Sequence, residues 1–169
     1  INFSVAGTIT VTTQLPDITQ RVKIDGYTAP GALAGTFTGR NITLQIVGPS
    51  GFGITALVAV RASNTEICGI NFVSFENGSG FPIPSIYHPN GNLSAVSNVW
   101  IWGCSFNTNL DGITAYDNAG GIGVAALGHT TSGNTVSNIS GWIIGVNGDG
   151  ANDDREGNQF AAADPDLGS

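Results

Sequence analysis

The segment Val22-Lys-Ile-Asp-Gly26 contains a short pattern, an aliphatic residue followed two positions later by glycine, that returns along the chain. Further copies occur at Ile46 with Gly48, Ile67 with Gly69 and Ile101 with Gly103, and a fifth copy aligns Val136 with Asn138. The aligned positions are 22, 21, 34 and 35 residues apart. We interpret these steps as one repeat of about 22 residues that carries an insertion of about a dozen residues in two copies.

Other residues keep fixed offsets from this pattern. Phe72 and Phe106 each follow the aligned isoleucine by five positions, while Asn64, Asn98 and Asn134 each open their copy. Equivalent positions of successive repeats are neighbours in a repeat protein. We therefore expect asparagines at a fixed turn position to stack, each satisfying backbone groups of the next coil.

The segments between the copies are typical of strands and turns. Alternating β-branched residues at 8–12 and 42–46 predict strands, and frequent Gly, Asn, Pro and Asp supply turns. No stretch of ten or more residues shows the 3.6-residue apolar period that would predict a helix. The sequence therefore predicts an all-β fold, a right-handed parallel β-helix (solenoid) of about 22-residue coils with two inserted loops. Its expected internal ladder is Ile24, Ile46, Ile67, Ile101 and Val136. Leucine-rich repeats are disfavoured because their consensus is missing.

Length and composition limit the class of protein. The 169 residues fit one domain spanning 1–169, and a chain with 10% charged residues, 41% apolar residues and 25 glycines is not a charged disordered tail. The net charge of −7 argues against a nucleic-acid partner, and the apolar runs are too short for a membrane span. Because the chain lacks Met and begins in a predicted strand, we expect a segment of a longer or processed surface protein.

Two stretches carry a resemblance to a known group of proteins. Gly7-Thr-Ile-Thr-Val-Thr-Thr-Gln-Leu-Pro-Asp-Ile-Thr through Val22-Lys-Ile-Asp-Gly-Tyr-Thr-Ala-Pro-Gly31 resembles the first coils of large bacterial and archaeal secreted or cell-surface proteins built on right-handed parallel β-helix repeats (the pectin-lyase-like superfold). The closing Asn158-Gln-Phe to Asp164-Pro-Asp-Leu-Gly168 resembles the exit from such a domain. The resemblance implies a fold and an extracellular address, and no particular activity.

The two insertions, residues 76–92 and 107–121, are expected to leave neighbouring coils side by side. Aromatic, acidic and histidine side chains on paired loops over a rigid scaffold are typical of carbohydrate-binding surfaces. The candidate glycan ligands are Tyr87, His88, Asp111, Tyr116 and Asp117. The alternative is that the two loops cover the side of the β-helix and bind no ligand.

Three further sets of residues are candidates for metal binding, glycosylation or thiol chemistry. The acidic stretch 147–156 gathers oxygen ligands as Ca²⁺ loops do, with Asp149, Asp153, Asp154 and Glu156 as candidates, or else it is a solvated turn. Asn77 and Asn92 are the candidate glycosylation sites, since they lie on a predicted loop. Cys68 and Cys104 fit no metal spacing and are predicted to be small buried residues.

The enzymatic alternative is a parallel β-helix lyase or glycoside hydrolase acting on acidic polysaccharide. Of the hydrolase motifs, Asn-Thr-Asp and Arg-Ile-Lys are missing, and Gly128-His129 is followed by Thr130. No catalytic residue is therefore assigned. Because a β-helix has two open ends, the sequence favours a structural role in a surface layer, stalk, adhesin or filament. Its ends would be covered by copies of the same chain or by flanking domains, with glycan contact at the two loops.

Overall fold

The computed structural model describes residues 1–36, 38–49, 56–76, 80–88, 95–117, 119–125 and 139–161. Short strands dominate this part of the chain, and its helical elements are a 3-10 turn at Gly26–Thr28 and a single α-helical turn, α1, at Asp153–Glu156. The strands are β1 Gly7–Thr10, β2 Lys23–Asp25, β3 Leu44–Val47, β4 Val58–Ala59, β5 Thr65–Cys68, β6 Asn71–Val73, β7 Pro84–Tyr87, β8 Val96–Trp102, β9 Ser105–Phe106, β10 Ile122–Ala125, β11 Ile139–Ile144 and β12 Gln159–Phe160. The protein is therefore all-β, as predicted.

These strands form three sheets in which every strand pairing is parallel. Sheet 1 has the order β1-β3-β6-β9-β12, sheet 2 the order β2-β5-β8-β11, and sheet 3 the order β4-β7-β10. From β2 to β12 the chain visits sheets 2, 1 and 3 in strict rotation. We call one such passage a round.

The first 20 residues form a round of the same kind. Asn2 bridges Asp25 in parallel at the edge of sheet 2, β1 then joins sheet 1, and Ile18 bridges Val60 in parallel beside sheet 3. The backbone N–H of Leu15 also donates to the Leu57 carbonyl. The described residues thus follow one path from the first round to β12.

The core consists of columns of apolar side chains that run across the sheets. Sheet 2 contributes the aliphatic column, in which register pairs Ile24 with Ile67, Ile67 with Ile101 and Ile101 with Ile144. Sheet 1 contributes a second column, in the order Ile9, Ile46, Phe72, Phe106 and Phe160. We call it the aromatic column after its three phenylalanines. The middle members of both columns are completely buried, and burying one such side chain contributes about 1.5–3 kcal/mol.

Two offsets read from the sequence are confirmed. Phe72 and Phe106 are register partners whose rings stack with centroids 5.7 Å apart. Asn64 and Asn98 both have left-handed backbone conformations, and the Asn98 side-chain amide donates to Asn64 Oδ1 at 3.2 Å. Asparagine tolerates positive φ better than most residues, which explains its presence directly before β5 and at the equivalent position within β8. Asn134 lies outside the described residues.

The predicted 22-residue ladder is wrong for Ile46. Ile24 and Ile46 lie in different sheets, since β2 belongs to sheet 2 and β3 to sheet 1. Partners in sheet 2 lie 43 or 34 residues apart, as for Asp25 with Cys68 and for Thr65 with Val99. The step of 22 residues therefore carries the chain to the next sheet and not through a full round. Ile144 is the register partner of Ile101 in the next strand of sheet 2, and Val136 lies outside the described residues.

The prediction of a loop at 76–92 also fails at Pro84–Tyr87. Pro84–Tyr87 is β7, a strand of sheet 3 that pairs with both β4 and β10, and its first three residues are buried. Proline is tolerated here because it is the first residue of the strand. The second insertion is a loop, closed by an antiparallel bridge between Thr108 and Ala115.

Both cysteines are buried and free, in agreement with the sequence prediction. Desolvation raises the pKa of the Cys104 thiol to about 12 and raises the pKa of Cys68 further still. Among the residues described, we find no helix with the length and apolar character needed to cross a membrane.

Candidate functional site

Residues 107–117 form a loop held against the outer face of sheet 1 by polar side chains. Gln45 Nε2 and Asn71 Nδ2 donate to the Thr108 carbonyl at 3.1 and 2.8 Å. The Thr108 hydroxyl donates in return to Asn71 Oδ1 at 3.2 Å. These polar groups are almost completely buried and satisfy one another, so this segment is fixed to the sheet.

Asp111 at the tip of this loop is occupied by its own turn. Its Oδ1 accepts hydrogen bonds from the backbone N–H groups of Ile113 and Thr114, both at 2.9 Å, and its Oδ2 accepts from the Thr114 hydroxyl at 2.5 Å. The hydroxyl bond first, and the two amide bonds after it, lower the pKa of this carboxyl. The geometry makes Asp111 an anchor of the loop.

Tyr116 links the second loop to the segment that follows β6. Its ring meets Phe75 edge to face, with centroids 6.2 Å apart. Nearby, Asn107 Oδ1 accepts from the Ser74 backbone N–H at 3.0 Å, and its Nδ2 donates to the Gly121 carbonyl at 2.6 Å. The two insertions therefore begin side by side, as predicted, with Asp117 exposed beside them.

Tyr87 and His88 occupy a different place. They follow Ile86 at the end of β7, whereas Ser74 and Gly121 precede β7 and β10. His88 is 2% exposed, its Nδ1 lies 3.1 Å from the Val60 carbonyl, and its ring meets Trp142 edge to face. His88 directly follows β7 and is buried, so the expectation that it is a surface residue is wrong.

The five candidate glycan ligands thus fall into two groups. Tyr116, Asp111 and Asp117 lie on the second loop, while Tyr87 and His88 lie at the other end of sheet 3. Glycan binding by these residues stays a prediction. Asn77 and Asn92, the candidate glycosylation sites, lie outside the described residues.

The acidic segment connects β11 to β12 and is tied to β8 at both ends. The Gly145 N–H donates to the Ile101 carbonyl at 2.8 Å, and the Gly103 N–H donates to the Glu156 carbonyl at 3.0 Å. The Asn158 side chain donates to the Ile101 carbonyl and accepts from the Cys104 N–H. The segment between these anchors is therefore a defined loop at the junction of sheets 2 and 1.

Three carboxylates meet inside this loop. One oxygen each from Asp149, Asp153 and Glu156 lies within 4.8 Å of the others. Glu156 is 3% exposed, and its Oε2 accepts from the Asn147 N–H at 2.9 Å. Asp153 Oδ1 is buried and has no hydrogen-bond partner within the described structure. Asp154, the fourth candidate, is exposed and is not part of the group.

This geometry fits a hard divalent cation. Ca²⁺ binds oxygen ligands at about 2.3–2.6 Å, so that ligands on opposite sides of the ion lie about 4.8 Å apart. A buried carboxylate and a buried oxygen without a donor are both unfavourable unless a positive charge compensates them. Asp149, Asp153 and Glu156 are thus the residues that could hold such an ion.

An aromatic cluster on the outer face of sheet 2 escaped the sequence analysis. Tyr27 donates its hydroxyl to the Gly103 carbonyl at 2.8 Å, and its ring lies 5.6 Å from Trp102, which in turn lies 5.3 Å from Trp100. The Trp102 indole N–H donates to Glu66 at 2.9 Å. Burial raises the pKa of Tyr27 above its usual range. The tyrosine of the Ile24-Asp-Gly-Tyr27 segment supplies this contact.

The first round encloses an apolar cavity of about 550 Å³. Its lining includes Ile9, the first residue of the aromatic column, and Ile24 of the aliphatic column, together with Phe3, Leu15 and Ile18. Ile1 and Val5 nearby are more than half exposed. The cavity lies at the end of the fold that the sequence predicts to be open.

Comparisons with known proteins do not add a family to these observations. No family model, no curated protein and no solved structure matched the chain.

Proposed function

We propose that the chain is an extracellular structural module, a right-handed parallel β-helix in a surface layer, stalk, adhesin or filament. The observation that carries the proposal is the strict rotation of parallel strands through three sheets. Such a path has the connectivity of a solenoid, in which each round packs only on its neighbours. Parallel crossover connections are right-handed in about 98% of cases, which supports the hand.

The packing supports a scaffold role. The aliphatic and aromatic columns run through successive rounds, and the loop at 107–117 uses its buried polar groups to hold itself to sheet 1. Asp111 is likewise engaged by its own turn. These contacts stabilise the shape of the loop, as expected of a scaffold.

Two measurements test this function. Antibody labelling of intact source cells should detect the chain at the surface, and labelling only after the cells are opened would refute the extracellular address. Incubation with pectate or alginate should release neither unsaturated uronates nor new reducing ends. Release that Asp117→Asn abolishes would instead establish the enzymatic alternative.

We also propose that Asp149, Asp153 and Glu156 bind Ca²⁺, which would fix the connection between β11 and β12. The buried Asp153 oxygen without a donor favours this role over a solvated turn. An ion at a hundred times its Kd would stabilise the fold by about 2.7 kcal/mol.

The Ca²⁺ proposal has a matched pair of variants. Asp153→Asn should remove the Ca²⁺-dependent rise in melting temperature, whereas Asp154→Asn, which changes an exposed neighbour outside the group, should retain it. Calorimetric titration with CaCl₂ after chelation checks the stoichiometry. Equal loss in both variants would mean that the effect is one of net charge, and no Ca²⁺ effect in the wild type would refute the site.

A further inference from the structure

We propose that the apolar cavity of the first round receives the last round of a second copy of this chain, so that copies associate head to tail. We call the first-round end the head and the β11–β12 end the tail. The inference rests on the proposed structural function and names its partner and both contact surfaces.

The two ends present the same apolar positions. Ile9 begins the aromatic column and is 37% exposed, and Phe160 ends the column and is 55% exposed. Ile1, which lies opposite Ile24 through the parallel Asn2–Asp25 bridge, begins the aliphatic column at 64% exposure and lines the cavity, and Ile144 ends that column at 46% exposure. A tail placed on a head would therefore continue both columns.

The backbone edges match as well. β1 and β12 are the outer strands of sheet 1, and both run in the parallel direction of the rest of that sheet. An outer strand presents N–H and C=O groups that another strand can pair with. Adding β1 of one copy beside β12 of another would place Ile9 next to Phe160, whose other neighbour, Phe106, stacks on it at 4.8 Å with an 8° interplanar angle.

The two ends differ in charge. Residues 1–61 hold four of the five basic residues and only two of the twelve acidic residues. Lys23 and Arg61 form ion pairs within the chain, and Arg40 donates to the Gly157 carbonyl, so Arg21 is the basic residue that adds most to the charge of the head. Residues 62–169 hold the other ten acidic residues and one arginine. Asp149, Asp153, Asp154 and Glu156 lie between the two last strands, β11 and β12, and their four negative charges exceed the two positive charges of the Ca²⁺ ion proposed above. Such complementarity favours head-to-tail contact over head-to-head or tail-to-tail contact.

The symmetry of the contact gives a test that distinguishes a second copy of this chain from any other partner at the cavity. A head-to-tail contact joins two different surfaces and so propagates into longer chains. Sedimentation velocity of the wild type at about 0.2 mM should show species at multiples of 17.2 kDa. Raising NaCl from about 0.05 to 0.5 M should shorten these chains, because salt screens the end charges.

Two variants block one end each. Ile9→Lys places a charge in the head and Phe160→Asp places a charge on the tail, so each variant alone should sediment as a monomer. A mixture of the two should give a one-to-one dimer and nothing larger, because only one intact head and one intact tail remain. Ile113→Lys, at a position 83% exposed on the loop over sheet 1, is the control and should assemble as the wild type does.

Three outcomes would overturn the proposal. A wild-type monomer with native circular dichroism at this concentration would mean that a different partner covers the cavity. Association that Ile9→Lys abolishes but Phe160→Asp leaves intact would indicate a head-to-head dimer, and chain lengths unchanged in both variants would place the contact elsewhere. Surface labelling of source cells is independent of all three results, so failure of this interface and failure of the proposed function are distinguishable.

Discussion

Truncation of Ile67 to alanine tests the aliphatic column at its centre. Ile67 is completely buried between Ile24 and Ile101, each one strand away at about 4.8 Å. Ile67→Ala removes three carbons, worth about 2.4 kcal/mol at about 0.8 kcal/mol each. The hydrogen-bonded strands on both sides oppose collapse, and a residual cavity of about 50 Å³ adds about 1.2 kcal/mol. We expect a loss of about 3.5 kcal/mol in the free energy of unfolding.

The assay is urea unfolding followed by far-ultraviolet circular dichroism. The loss corresponds to a fall in melting temperature of about 7–14 °C for a chain of this size. Ile113→Ala makes the same chemical change at a side chain that is 83% exposed and should alter stability by less than about 0.5 kcal/mol. Equal stability of the two variants, or a loss below about 1 kcal/mol for Ile67→Ala, would refute the burial assigned to this column.

Three further predictions follow from local geometry. Gly26→Ala should destabilise the fold by about 1–3 kcal/mol in urea unfolding, because its Cβ would lie 2.1 Å from the Gly69 carbonyl oxygen of the next round; unchanged stability would contradict that close approach. The raised pKa values of Cys68 and Cys104 mean that folding favours the neutral thiols, so stability should be intact below about pH 9 and fall as the pH rises towards 12, a fall that a double Cys→Ala variant should reduce. The lowered pKa of Asp111 predicts that the protection of the Ile113 amide hydrogen, taken relative to its intrinsic exchange rate at each pH, is constant above about pH 4 and decreases as the pH falls through the lowered pKa, whereas Asp111→Asn should lose this transition.

The sequence was sufficient to predict strand content, parallel stacking contacts and several neighbours. The offsets of Phe72 and Phe106, and of Asn64 and Asn98, identified true register partners because both residues of each pair occupy the same turn or column in successive rounds. Side chains repeated at the same structural position leave a trace in the sequence that does not depend on loop length.

The sequence could not separate one sheet from the next. An aliphatic residue two positions before glycine marks the end of a buried strand in sheet 1 as well as in sheet 2, so Ile46 was assigned to the wrong column. The sequence does not indicate β7, because Pro84, Ser85 and His88 are residue types typical of loops. Ser85 is nevertheless buried, and its hydroxyl donates a 2.9 Å hydrogen bond to the Ser74 hydroxyl, a contact that only the folded chain reveals.

The sequence indicated that acidic residues of this segment could form a carboxylate cluster, but it did not indicate which of the four belong to the cluster. Proximity in sequence suggested four ligands, whereas the helical turn α1 buries Glu156, brings Asp153 towards Asp149 and leaves Asp154 in solvent. The head cavity had no sequence signal, because its lining comes from three sheets whose residues are individually ordinary core residues.

A crystal structure of the chain is the most direct test of the central claim, the rotation of parallel strands through three sheets. The account predicts that the Ile67 backbone lies between those of Ile24 and Ile101 in one parallel sheet, with a strand spacing of about 4.8 Å, while Ile46 lies in a separate sheet beside Phe72. Antiparallel pairing of strands that are consecutive in the chain, such as β2 with β3 or β5 with β6, would contradict it.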